Sequence, residues 1–554
     1  MARFCSLCHK SYPTPRSFAC HRRRTHRHPC PPLVESAIHY HPFLNGIFHP
    51  DGAPPPPRPD AVNWGPFDGC SAFEMAEWVF DVSHESQDSY SQLHQLLRAQ
   101  LVHDGLEDYN PFLTIDNIPY GEASWSTFTL RYNGDTTPGS PSWKHQEYAF
   151  HLCNTREVAE YIVGNPEFKN SFDYVPFEEY MGANRDCRRV SNLMSGQWAS
   201  DKADIIAQDP QTHGSMLVPI VMGADKTTVS IATGNQAFHP VYMSVGNLHN
   251  SVRRAHGKGL VPVAFLPIPK AAHEPEDDEE FRVFKKKLYH ACLAALLEPL
   301  RDGMIIPQAL WCPDGHFRLV IFEIGLFIAD YPEQVYLSGV VYGWCPICIA
   351  IPEGKFHRDN PRTREGDDAL RQARSANELW DLYGINDNVR PFTTYLPRAD
   401  IHELLTPDLL HQLIKGTFKD HLVDWLIKYI KMNEPNDKVA KQHLDDIDWR
   451  LAAVPLFPGL HQFPQGMSFT QWTGDDSKAL MKVIVLAIVG YVPPEMVKCV
   501  VALLDFCYLA RRPSHDKYTI HAMSALLKRF HQLRTVFEEE GIRPDGFVLP
   551  RQHA

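Results

Sequence analysis

Four side chains near the N-terminus have the types and spacing of a metal site. Cys5 and Cys8 are separated by two residues, twelve residues follow, and His21 and His26 are separated by four. Two thiolates on a hairpin and two imidazoles on one helix face can close a tetrahedral zinc shell. A second Cys-x2-Cys pair, Cys345 and Cys348, offers half of another structural zinc site, with His357 or His411 as partners. Two buried cysteines packed as small apolar side chains are the equal alternative. The other chemistry resides in carboxylates. The apolar run FRLVIFEIGLFIA from Phe317, broken only by Glu323, stops at Asp330. A carboxylate at the mouth of a buried strand is costly to desolvate, so it is expected to be paired, hydrogen-bonded or metal-bound.

The segment FCSLCHKSYPTPRSFACHRRRTH also carries Tyr12 and Phe18 where a miniature core is needed, and it resembles a Cys2His2 zinc finger. Its base-facing helix positions would be Thr14, Ser17 and Cys20, none a bidentate base reader. Arg16, Arg22, Arg23, Arg24 and Arg27 suit phosphates, and equally suit a nuclear-import signal.

The elements that must position the acids lie farther on. Residues 29–66 include four consecutive prolines, Pro54 to Pro57, and read as an extended linker. A helical pattern spans Trp78 to Leu101, within a mixed region, 67–215, whose role the sequence does not give. From residue 216 short β-rich runs follow, Thr227–Ala232, Pro240–Gly246 and Leu260–Leu266, then a helix over Phe281–Leu300 and the strand that ends at Asp330. Three strands, a helix and a fourth strand is the order of an RNase H-like fold. In that fold the first and fourth strands are neighbours, so Asp225, at the start of the first run, can meet Asp330. Two such carboxylates can bridge Mg2+ or Mn2+.

Composition narrows the function classes. The net charge is -12, yet residues 1–30 hold seven Lys or Arg and no acid, leaving 47 basic against 66 acidic residues in the remainder. Polyanion affinity is thus expected at the N-terminus alone. The N-terminus has no apolar leader-like stretch, and the most apolar late segment, Ala479–Val492, contains Lys482 and is too short to span a bilayer. The expectation is an intracellular, nuclear protein without a membrane partner.

The phrases DKTTVSIATGNQAFHPVYMSVGNL from Asp225, IADYPEQ with CPIC from Ile328, TPDLLHQLIKGTFKDHLVDWL from Thr406 and DIDWRLAAVPLFPGLHQFPQGMSFTQWTGDDSKALMKV from Asp446 come in a distinctive order. Over roughly residues 70–554 they resemble the Plavaka group of fungal DNA transposases, related to the CACTA and Kyakuja-Dileera-Zisupton elements. The resemblance implies an α+β or α/β multidomain protein. Its parts are a small ββα zinc finger (1–28), the linker, the mixed region, an RNase H-like mixed sheet (216–350) and a large helical insertion (351–554). By position Asp225 and Asp330 match the first two acids of a metal-binding triad, and Asp408 with His411 matches an Asp-x2-His motif on a helix also striped by Leu405, Leu409, Leu413, Ile414 and Phe418. A second ion site and a structural pair are both open for these two residues. For the third acid Asp475 and Asp476 lie in the matching WTG phrase, Asp476 being the candidate, although acids at a helix start also act as caps. The resemblance places a family segment with a catalytic glutamate beyond Ala554, so the insertion is expected to be truncated. The expected function is metal-dependent DNA strand cleavage and transfer at transposon ends, with structural Zn2+ and catalytic Mg2+ or Mn2+, and homo-oligomeric assembly left open. The alternative is a non-catalytic zinc-finger DNA-binding or regulatory protein.

Overall fold

The computed structural model describes residues 3–4, 11–12, 37–47, 125–137, 139–181, 186–230, 236–253, 258–270, 278–349 and 360–455, then 457, 460, 462–463, 466–467, 472–547, 549 and 552. Its centre is a mixed sheet of eight strands: β1 (Trp125–Arg131), β2 (Glu147–Cys153), β3 (Met216–Ala224), β4 (Pro240–Val245), β5 (Val261–Phe265), β6 (Gln308–Trp311), β7 (Phe317–Ala329) and β8 (Leu405–Pro407). Their spatial order is β6-β7-β3-β4-β5-β2-β1, and β8 lies beside the far end of β7. β3 and β7 run parallel, β8 is parallel to β7, and the other neighbours are antiparallel.

Alternation explains how this sheet is covered. Met216, Val218, Ile220, Met222 and Ala224 of β3 join one large core with helices α1 (Thr155–Gly164) and α2 (Glu279–Leu297), through residues such as Ile162 and Leu293. The opposite face, represented by Leu217 and Ile321, packs on Leu44 and on Ala203 and Ile206 of a helix over Gln197–Ile206. A strand covered on both faces reads as one continuous apolar run, and MLVPIVMGA is such a run. A separate apolar core lies within α4 (Asp424–Asn433), α5 (Asp437–Ala452), α6 (Gly474–Ile488), α7 (Pro494–Ala510) and α8 (Lys517–Leu533). No helix among the described residues is long and apolar enough to cross a membrane.

Two expectations change. The core strand beside Asp225 is Met216–Ala224, so Asp225 follows its end; Thr227–Ser230 instead forms a small hairpin with Gln236–Phe238. The physical reason is burial: β3 is apolar on both faces, whereas Thr227 is exposed. The sheet also begins before residue 216, because β1, β2 and α1 belong to it. The expected helices over Phe281–Leu300 and the strand ending before Asp330 are present as α2 and β7. The helix over Trp78–Leu101 and the arginines Arg16, Arg22, Arg23, Arg24 and Arg27 lie outside the described residues, as do Cys5, Cys8, His21 and His26. Of the expected linker 29–66, residues 37–47 are described and belong to the fold, because Ala37–Tyr40 pairs with Phe177–Tyr180 and Leu44 is buried. On either side of Cys5 and Cys8, Arg3–Phe4 and Ser11–Tyr12 pair as an antiparallel hairpin.

Glu323 is the exception in β7. It is fully buried; its Oε2 accepts from Arg398 Nε at 2.9 Å, while Oε1 has no partner. Burial pushes its carboxyl above the usual range, and the Arg398 guanidinium pulls against that shift. Arg398 also reaches the carbonyl of Met304 and adopts a left-handed backbone with φ 56. Arg398→Gly keeps that backbone and removes the guanidinium, and with it both the ion pair and the hydrogen bond to the Met304 carbonyl. It is expected to destabilise the protein by about 3 kcal/mol in urea denaturation at neutral pH, and adding Glu323→Gln should recover most of the loss. A raised folded-state pKa contributes stability that is full below the unfolded value and lost as pH rises through the folded one. The deficit of Arg398→Gly should therefore narrow on acidification.

Candidate active site

β3 and β7 end together, and the chain turns polar where they end. Ile328 of β7 pairs with Gly223 of β3, which sets Asp330 beside Asp225 when the register is continued by two residues. On the other side of β7, Ala329 pairs with Pro407, and Asp408 N–H donates to the Ala329 carbonyl at 3.0 Å. On the far side of β3, Val241 pairs with Ala224, which brings Pro240 and His239 to the same edge. Four neighbouring strands thus present Asp408, Asp330, Asp225 and His239 along one edge. The face is also common to the central pair. Ala224 and Ala329 point into the core, so Asp225 and Asp330 fall with Gly223 and the 39% exposed Ile328 on the other side.

Each acid is oriented locally. Asp330 caps α3 (Tyr331–Ser338): its Oδ1 accepts from Glu333 N at 2.9 Å, with Pro332 in the first turn. Asp408 Oδ1 accepts from Leu410 N at 2.7 Å, and its Oδ2 lies 2.6 Å from His411 Nδ1. Burial would raise the Asp408 carboxyl, but the His411 and Leu410 hydrogen bonds outweigh it and hold it below its usual value. His411 is raised, first by its hydrogen bond to Asp408, against burial, and further by the charges of Asp408, Asp225 and Asp330. One imidazole therefore senses three carboxylates.

A second layer ties these groups together. Glu333 accepts from the Tyr289 hydroxyl of α2 and sits 3.0 Å from His239 Nε2. Burial, then the Glu333 carboxylate, keeps the Tyr289 phenol well above its usual range. Gln334 donates to the Ala329 carbonyl at 2.9 Å and to Gln412 Oε1 at 3.3 Å. The carbonyl that receives Asp408 N–H thus also receives α3. Sequence reasoning missed Glu333, His239, Tyr289 and Gln334; only Glu333, three residues after a capping acid, left a local signal.

The remaining expected residues stand elsewhere. Asp476 is in the first turn of α6, where its Oδ2 accepts from Thr473 N at 2.9 Å and Thr473 Oγ1 at 2.6 Å, completing a capping box. Asp475 is paired with Lys478 at 2.9 Å. Cys345 and Cys348 are both buried, with Ile347 N 3.4 Å from Cys345 Sγ. Of their expected partners, His357 lies outside the described residues and His411 is engaged by Asp408. His411 lies in the first turn of the expected helix, which is a π-helix over Leu410–Val423, and Leu405 belongs to β8. Among the described residues no three His, Cys, Asp or Glu side chains already form a metal cage. The donor chemistry of the edge still suits a hard cation, since Asp225, Asp330 and Asp408 offer carboxylate oxygens.

A mixed α/β protein with acids at the ends of its central parallel strands is the class defined so far. The profile of the Plavaka transposase family matches residues 111–426, more than half of the 554-residue chain, and the chain belongs to that family. It is a transposase-like protein of transposable-element descent. The match contains the whole acid edge and stops within α4, a narrower span than the sequence phrases suggested. No curated protein matches the chain.

The electrostatics predict an NMR titration. His411 should titrate above 6.5, and Asp408→Asn should bring it down. The pair's stabilisation should be greatest between the depressed Asp408 pKa and the raised His411 pKa, fading as pH rises through the latter. A His411 midpoint unmoved by Asp408→Asn would remove the pair from the account.

Proposed function

We propose that this chain is a DNA transposase whose RNase H-like core carries out divalent-metal-dependent phosphodiester cleavage and strand transfer at transposon ends. The observation that carries the proposal is the shared edge: Asp225 and Asp330 continue a parallel register in which Ile328 pairs with Gly223, and Asp408 follows the neighbouring β8. The arrangement of β7, β3, β4 and β5, with one parallel and two antiparallel pairings, supports the RNase H-like assignment.

Asp225 and Asp330 would hold Mg2+ or Mn2+. When bound, the metal would supply charge stabilisation at the attacking and leaving oxygens. Mg2+ commonly takes one or two carboxylates and completes its shell with water and phosphate oxygens, so a closed protein cage is not required. Asp408 adds a third carboxylate to the edge and, through His411, a proton-holding group beside the pair. That gives the edge a third acid of its own, whereas the carboxylate of Asp476 serves a helix cap. No covalent enzyme intermediate is needed, since water and then a DNA 3'-hydroxyl can be the nucleophiles.

At the N-terminus, Cys5, Cys8, His21 and His26 would bind structural Zn2+, with the hairpin of Arg3–Phe4 and Ser11–Tyr12 as support. Arg16, Arg22, Arg23, Arg24 and Arg27 would grip DNA phosphates and accompany the chain into the nucleus. Cys345 and Cys348 could complete a second structural zinc site with ligands from outside the described residues. The commitment of Asp476 to its capping box favours the alternative of a non-catalytic DNA-binding protein.

Two measurements separate these readings. Full-length protein with Mn2+ should nick terminal-repeat DNA, and Asp225→Ala or Asp330→Ala should reduce nicking about 100-fold or more, the scale of losing a preorganised charge-stabilising group. Equal nicking by Asp330→Ala would sink the assignment; DNA binding without nicking would favour the alternative. Binding itself should fall steeply with salt, and each of Arg22→Ala, Arg23→Ala and Arg24→Ala should flatten the log–log slope by about one.

A further inference from the structure

The pairing of β3 with β7 contains a change of register. From Val320 opposite Met216 to Ile324 opposite Ile220 the partners differ by 104 in sequence; from Leu326 opposite Val221 to Ile328 opposite Gly223 they differ by 105. Gly325 is the extra residue. Asp225 and Asp330 also differ by 105, so they are neighbours only because the bulge precedes them.

The bulge changes faces as well as register. In β3 the even-numbered residues from Met216 to Ala224 face the large core throughout. In β7, Val320, Phe322 and Ile324 face that core before Gly325, whereas Phe327 and Ala329 face it afterwards. Were Gly325 paired with Val221 in an unbroken ladder instead of bulged, Asp330 would stand beside Lys226 and take the side directed at α1 and α2. A one-residue slip sends a side chain to the opposite face of a sheet, and here that face is dry.

Local chemistry fixes the bulge at this position. Pro219, in the middle of β3, has no N–H to give to a ladder, and proline inside a sheet is confined to edges and bulges. A Cβ on Gly325 would lie 3.0 Å from both the Ile220 carbonyl oxygen and Pro219 Cβ. Pro219 is itself confined from the other side: Gly246 N donates to its carbonyl at 2.7 Å, and a Cβ on Gly246 would approach Pro219 Cβ to 2.9 Å. Below the bulge, the Arg398–Glu323 pair anchors the segment of β7 that keeps the earlier register.

We propose that Gly325 is a positioning residue whose bulge brings Asp330 into register, and onto one face, with Asp225. Its functional importance rests on the reading of that edge as the active site, but the register claim can be tested without metal or DNA. In the full-length protein, Asp225→Cys with Asp330→Cys should form a disulfide on mild oxidation, mapped by mass spectrometry of the linked peptide. Deleting Gly325 straightens the ladder with Leu326 still opposite Val221 and should keep that link, whereas a substitution at Gly325 that denies the bulge should transfer it to Asp225→Cys with Ala329→Cys. A general loss of structure would weaken both links and would not move the preference by one residue.

Gly325→Ala provides a variant of unchanged length. It must push β7 off Ile220 and Pro219 by a few tenths of an ångström and should slow the 225–330 link several-fold. A parental 225–330 rate in Gly325→Ala with no gain of the 225–329 link, or loss of the 225–330 link in a folded deletion, would overturn the proposal. Absence of the link in the otherwise intact protein would overturn it too. Normal register with no Mn2+-dependent nicking would leave Gly325 in its role and defeat the catalytic reading instead.

Discussion

The parallel pairing of β3 and β7 is the constraint from which the site follows. Both strands are almost entirely apolar and are covered on both faces, so neither can carry a solvated acid along its length. Glu323 shows the cost: it needs Arg398 held in a left-handed conformation, and one of its oxygens still lacks a partner. Polar chemistry becomes affordable where the pair ends, at Ala224 and Ala329. Carboxyl ends of neighbouring parallel strands are a common place for ligands in open sheets, because helices and loops leave a crevice there. Asp225, Asp330 and Asp408 occupy the first positions beyond that boundary.

Gathering acids at one edge creates its own electrostatic problem. Like charges at short range disfavour simultaneous ionisation unless cations or hydrogen-bond donors compensate. The fold supplies donors: Glu333 N–H to Asp330, Leu410 N–H and His411 to Asp408, and Tyr289 with His239 to Glu333. His411 supplies positive charge when protonated, and its pKa is raised first by the hydrogen bond to Asp408 and then by the charges of Asp408, Asp225 and Asp330. The edge is preorganised toward negative charge, which is what a hard cation would require. The same field would repel a DNA backbone unless cations screened it.

Much of this was legible in sequence where the signal was local. A strand ending in Asp330, the helix now called α2 and the runs that became β4 and β5 all follow from periodicity and turn residues. The Cys and His spacing at the N-terminus is equally local, although Cys5, Cys8, His21 and His26 lie outside the described residues. Met216–Ala224 is not among the runs read as strands; it carries Pro219, a residue unusual in a central strand, and its partner is bulged nearby. Asp225 continues the register beside Asp330, although it follows a strand other than the one expected. The link from His239 to Glu333, 94 residues apart, and the link from Gln334 to Gln412, 78 apart, depend on tertiary docking that no periodicity encodes.

The last of those links explains why a helical region belongs beside the sheet. Ala329 O accepts both Asp408 N–H and Gln334 Nε2, and Gln334 reaches on to Gln412 in the π-helix. Asp330, through α3, and His411, through the π-helix, are therefore referenced to one backbone carbonyl. Ile414, Phe418 and Leu422 recur every four residues on the buried side of that helix, close to the wide turn of i→i+5 bonding. Gly474 at the start of α6 lets the helices close on Leu410, since a Cβ there would approach its Cδ1 to 2.8 Å. Movement of the helical body would pull first on Leu410 and Gln412, the residues that flank His411. The outer acid of the edge is thus anchored to the helices as firmly as the inner two are anchored to the sheet, and the site is a junction between two cores.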